Sequence, residues 1–166
     1  MIKKSKVLAV VLGLAVAFGG LSAMAQLAKP PAHGYTKKHL YDETIDPRKD
    51  IAAGLKKAKA EHKRVILDFG GDWCGDCQVL DIYFHDPMNA ELLEKNFVVV
   101  HVFIGHMDKN LDLASKYGVP VDRGVPALAV IDSKGKPLYS QQTGQFSNMR
   151  YMDISSVHEF LVHWKA

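Results

Sequence analysis

The chain has 166 residues, with 21 Lys+Arg against 18 Asp+Glu and a formal charge of +3. Lys3, Lys4 and Lys6 lie in the first 25 residues, which hold no acid, so the rest carries 18 basic against 18 acidic groups. The remainder therefore has no basic excess and no nucleic-acid partner is expected; two cysteines exclude a disulfide scaffold, and about 140 residues suffice for one domain with its own core.

The three lysines precede an apolar run over residues 7–21, and Ala23-Met24-Ala25 supplies a small-x-small cleavage site. This is the pattern of a signal peptide over residues 1–25, which predicts a periplasmic or secreted protein cleaved near Ala25. The alternative is an uncleaved membrane anchor, because residues 7–28 are nearly long enough to span a bilayer. Residues 26–45 are polar and broken by Pro30-Pro31 and Gly34, and read as a linker or N-terminal extension before a domain over 46–166.

Asp46-Pro47 is a helix start, with Ile51, Leu55 and Ala58 recurring at helical spacing behind it. Residues 65–69 form an apolar run that reads as a buried strand. Trp73-Cys74-Gly75-Asp76-Cys77 follows and opens a helix over 78–84, broken at His85-Asp86-Pro87. Residues 88–95 read as more helix, and 97–104, rich in Val, as a central strand. Asp108 is the expected cap of a helix ended by Gly118. Residues 127–131 and 137–141 read as a hairpin around Asp132-Ser133-Lys134-Gly135. Ser156-Val157-His158-Glu159 reads as a capping box before a terminal helix. The order predicts an α/β fold, a mixed sheet with helices on both faces and a right-handed crossover between the first two strands.

Cys74 and Cys77 are the only cysteines. A lone Cys-x-x-Cys pair is either a redox couple or half of a metal site. Across a first helical turn the two thiols can close a small disulfide with little backbone movement. The first thiol faces unpaired N–H groups and the positive end of the macrodipole, which favours thiolate, the attacking species in disulfide exchange. As the only pair in an exported chain, it becomes oxidised unless something keeps it reduced.

Taken together, these residues resemble the thioredoxin family. Asp68-Phe69 lies upstream of Trp73-Cys74-Gly75-x-Cys77. Tyr117-Gly118-Val119 and Arg123-Gly124-Val125-Pro126-Ala127-Leu128 resemble the segment that carries the family's cis-proline, and Gly135 and Gly144 fall at family glycines. The resemblance spans residues 46–165 and implies a thioredoxin fold.

By that resemblance Cys74 is the attacking cysteine and Cys77 the resolving one. Asp68 is the buried carboxylate that takes the resolving thiol's proton. Trp73, Val125 and a cis Pro126 bind substrate, with the Val125 backbone pairing to an extended segment. The implied activity is that of a protein-disulfide reductase without organic cofactor or metal, acting as a monomer on disulfide-containing proteins and re-reduced by a membrane electron donor. Gly75 and Asp76 tune the potential. Asp76 stands where the family has proline, and a negative charge near Cys74 disfavours its thiolate, hence favours a reductant. Gly70-Gly71 replaces an aromatic-small pair and is expected to open the rim. Pro120-Val121-Asp122 looks like an insertion, and His101 falls where the family often has a lysine. The alternatives are a copper or zinc carrier on the same fold, recruiting His85 or His106, and a disulfide oxidase or isomerase.

Overall fold

The structure is a computed structural model that describes residues 36–166. The leader over 1–25 and the breaks at Pro30-Pro31 and Gly34 lie outside the described residues. The elements run α1 (Pro47–Glu61), β1 (Arg64–Gly70), α2 (Gly75–Phe84), α3 (Ala90–Asn96), β2 (Phe97–Phe103), α4 (Leu111–Lys116), β3 (Ala127–Ile131), β4 (Pro137–Ser140) and α5 (Ile154–Trp164).

The strands form one mixed sheet in the order β2-β1-β3-β4. β1 and β2 are parallel, with Asp68 opposite His101; β1–β3 and β3–β4 are antiparallel. Successive β1 residues point to opposite faces, so the core has two halves. Val65, Leu67 and Phe69 pack with Ile51 and Ala58 of α1 and with Leu113 of α4. Ile66 packs with Val79, Leu80 and Phe84 of α2 and with Val157 and Leu161 of α5. Among the described residues no helix is long and apolar enough to cross a membrane.

Three local expectations are corrected. Among the described residues the valine-rich β2 is an edge strand, not a central one. Helices cover both of its faces, so its residues read as apolar whether or not a further strand lies beside it. Asp108 does not cap α4: it accepts from His106 N–H at 2.8 Å, and Asn110 in the left-handed region precedes the helix. The terminal helix starts earlier than the Ser156 box, because Asp153 accepts from Ser155 N–H and caps it. The cap at Asp46 forms as expected, with Pro47 opening α1.

Residues 38–45 have no regular structure, yet they are bound to the domain as a strap. Lys38 N–H donates to Gln78 Oε1 at 2.9 Å, and Lys38 Nζ pairs with the buried Asp81 at 2.7 Å. Leu40 and Tyr41 N–H both donate to Asp72 Oδ1, at 2.8 and 3.2 Å. This half of the expected extension is part of the folded body.

Candidate active site

β1 ends against the N-terminus of α2, and Cys74 is the residue that caps that helix. Its Sγ accepts from Cys77 N–H at 3.1 Å. Cys74 and Cys77 are joined as a disulfide, with Cα atoms 5.3 Å apart. Cys77 is fully enclosed, whereas Cys74 keeps a small exposed surface of 6%. The cysteine an incoming group can reach is therefore the first of the pair, at the positive end of α2, where a thiolate is favoured.

The Val125–Pro126 bond is cis. The Val125 carbonyl oxygen lies 3.5 Å from Cys74 Sγ; in the oxidised pair this sulfur has no proton, so it is a contact, and a Cys74 thiol would be placed to donate there. Behind the loop, the buried Gln141 receives Leu128 N–H at 3.3 Å and donates to the Pro126 carbonyl at 3.4 Å. Pro120-Val121-Asp122 enters a 3-10 turn over Val121–Arg123 just before this loop. Trp73 is half exposed, donates from Nε1 to the Gly105 carbonyl at 2.7 Å, and stacks on His106. Of the two histidines considered as metal ligands, His106 is thus a neighbour of Trp73, and His85 Nδ1 lies 3.1 Å from Asp81. Among the described residues no cluster of three or more His, Cys, Asp or Glu side chains is placed to hold a metal ion.

Gly75 is the first residue of α2, and Asp76 follows it. Asp76 is neither solvated nor unpaired. Its Oδ1 accepts from Arg150 N–H at 2.9 Å, and the Arg150 guanidinium reaches its two oxygens at 3.1–3.3 Å. Cys74 therefore feels an ion pair, not the bare carboxylate that the sequence argument assumed. Nothing in the local sequence around the cysteines signals this partner.

Asp68 is 1% exposed on β1. Its Oδ2 accepts from Tyr41 Oη at 2.8 Å and is bonded to His101 Nδ1 at 2.9 Å. Its Oδ1 is buried with no hydrogen-bond partner among the described residues. Burial, the largest influence on His101, works against its charge, but the hydrogen bond to Asp68 and the Asp68 charge outweigh it and raise the imidazole above its ordinary value. Burial, then the Asp68 charge, holds the Tyr41 hydroxyl well above the usual phenol range, so it stays a proton donor.

Gly70 does not open the rim. A Cβ there would stand 2.6 Å from Tyr41 Oη and 2.7 Å from Cys77 Sγ. The aromatic that the resemblance places at position 70 is missing, and the ring of Tyr41 fills the space. A Cβ at Gly71 would meet the Trp73 indole. Tyr41 and Arg150 are the two residues of this site that the motif analysis missed. The empty bulk at Gly70 was the one available signal for Tyr41.

A family model described as thioredoxin-like matches residues 46–133. The chain is 34% identical to a solved structure from Xylella fastidiosa titled a disulphide isomerase, with a TM-score of 0.72, covering 77% of this chain and 98% of that one. It is 30% identical over 103 residues to the thiol:disulfide interchange protein DsbD of Photorhabdus laumondii, a match covering 61% of this chain and 16% of that protein. It is 29% identical over 96 residues to a thioredoxin of Buchnera aphidicola, covering 58% of this chain and 79% of that one.

Proposed function

The chain belongs to the thioredoxin-like family of thiol–disulfide oxidoreductases, and on that premise we propose that it is an exported protein-disulfide reductase working through Cys74 and Cys77. The observation that carries this reading is the Cys74–Cys77 disulfide at the α2 N-terminus, with Cys74 against the cis Val125–Pro126 loop.

In the reduced protein the Cys74 thiolate attacks one sulfur of a substrate disulfide. A Cys74–substrate bond forms, the substrate S–S bond breaks, and the leaving thiolate takes a proton from water. Cys77 then gives its proton to Asp68 and attacks Cys74 Sγ. The Cys74–Cys77 bond forms, the mixed disulfide breaks, and the second substrate sulfur leaves as a thiolate that takes a proton from water, while Asp68 returns its own proton to solvent. The dithiol loses two electrons and the substrate disulfide gains two. Trp73 and the Val125 backbone line the approach, the latter offering strand-like pairing to an extended segment.

Export is supported by the leader pattern over 1–25, and a membrane electron-transfer protein is the proposed donor for re-reduction. The second reading, a disulfide isomerase, is favoured by the likeness to the Xylella disulphide isomerase structure. Equilibration of the Cys74/Cys77 couple against glutathione and then dithiothreitol separates the directions. A potential near or below about −270 mV supports the reductase; one near about −120 mV overturns it in favour of disulfide donation. Cys74→Ser must abolish exchange, and Cys77→Ser must accumulate mixed disulfides; a fully active Cys74→Ser protein rules the mechanism out.

A further inference from the structure

Besides the Gln78 bonds and the packing of Leu40 and Tyr41, the strap over residues 38–45 meets the domain through three acids. It sets Lys38 on Asp81, the Leu40 and Tyr41 N–H groups on Asp72, and the Tyr41 hydroxyl on Asp68. All three carboxylates are buried. The last of these contacts reaches the chemistry. Tyr41 is itself 2% exposed, and its Oη and Cys77 Sγ border the same space beside Gly70.

We propose that Tyr41 is a positioning residue for the exchange reaction: from the strap, its hydroxyl fixes Asp68 Oδ2 and leaves Oδ1 as the acceptor for the Cys77 proton. This rests on the oxidoreductase reading above. Two donors, Tyr41 Oη and His101 Nδ1, converge on Oδ2, while the other carboxylate oxygen is buried without a partner among the described residues. An acid held this way cannot rotate to exchange its oxygens without giving up both bonds, and the lone pairs left over belong to Oδ1. The hydroxyl also stabilises the ionised carboxylate, the form able to accept a proton. Charge enters from every side. His101 faces Asp68 from β2, Asp81 lies on α2 with Lys38 over it, Asp72 follows β1 with His39 Nδ1 at 3.0 Å, and Cys77 lies in the first turn of α2. Asp72 and Asp81 are the other two carboxylates of this cluster, and the strap and β2 bring the donors to it.

The Cys77 proton passes to Asp68, the Cys77 thiolate attacks Cys74, the substrate sulfur leaves as a thiolate that is protonated by water, and Tyr41 keeps its own proton throughout. Its role is geometric and electrostatic.

The test is the pH–rate profile of disulfide exchange by the reduced mature protein on a peptide disulfide, for wild type, Tyr41→Phe, Asp68→Asn and the double variant. Phe keeps the ring that fills the space beside Gly70, so only the hydroxyl is lost. Loss of that donor makes Asp68 hold its proton more tightly. The expected result is an alkaline displacement of the rising limb by about half to one pH unit, with a similar plateau rate. In the Asp68→Asn background the Tyr41 change should move nothing further. A Tyr41→Phe profile that superimposes on wild type, or that moves equally without Asp68, overturns the inference alone. A wild type no faster than Cys74→Ser overturns the oxidoreductase reading, and the inference with it.

Discussion

Arg150 holds Asp76 by its backbone N–H and its guanidinium at once, across 74 residues of sequence, two residues from Cys74. The pair puts a counter-charge beside the one residue between the cysteines that carries charge. Removing the arginine leaves the carboxylate uncompensated near Cys74, which disfavours the thiolate and hence the reduced form. Arg150→Ala should therefore lower the potential of the couple by about 10–30 mV, and Asp76→Asn should raise it. Equilibration with dithiothreitol measures both. An Arg150→Ala potential equal to or above wild type would show that the pair does not tune the couple.

His101 makes stability depend on pH. Its folded value is raised above the ordinary 6.5, because Asp68 outweighs burial. The folded state thus binds the proton more tightly than the unfolded chain does. The stabilisation is fully present below about pH 6.5 and is lost as pH rises through the folded value. Unfolding of the oxidised protein in urea, compared with His101→Gln, should show a difference that shrinks from about pH 6.5 upward. A difference that grows over that range contradicts the pairing.

Gly70 is where size alone should matter. A single methyl there meets both Tyr41 Oη and Cys77 Sγ at under 3 Å, and both side chains are buried. Gly70→Ala should cost about 1–3 kcal/mol and slow exchange, because it displaces the Tyr41 hydroxyl or Cys77 Sγ. Denaturant unfolding and the exchange assay read the two effects. A wild-type result in both would mean the niche is wider than described.

Asp72 is the hinge pin of the strap. Its replacement by Ala leaves the Leu40 and Tyr41 N–H groups without their acceptor, at a cost of about 1–3 kcal/mol. Asp42→Ala removes only contacts within its own exposed turn, to Thr44, and should be far milder. Equal losses from the two variants would argue against a docked strap.

The parts legible in sequence were those whose signal is local. The Asp46-Pro47 start, the apolar run of β1, the turn at Asp132 to Gly135 and the Cys-x-x-Cys helix each declare themselves within a few residues. The Asp68–His101 pairing was approachable through the family resemblance, which put both near one another, and β1–β2 register then sets them opposite. The strap was not legible, since it has neither periodicity nor regular structure and its partners lie 27 to 43 residues away. Arg150 was hidden in the same way. The edge position of β2 was misjudged because apolar periodicity reports coverage of a strand's faces and is silent about its sides.

The family match begins at residue 46, and a fragment cut there would look complete. It would retain both cysteines, the cis-proline loop and every strand of the sheet. It would also strip Lys38 from Asp81, two amide donors from Asp72 and the phenol from Asp68, opening the space beside Gly70 to water. The boundary at which sequence similarity fades and the boundary of the working machine are thus different places in this chain, separated by eight residues that no strand or helix would lead one to keep.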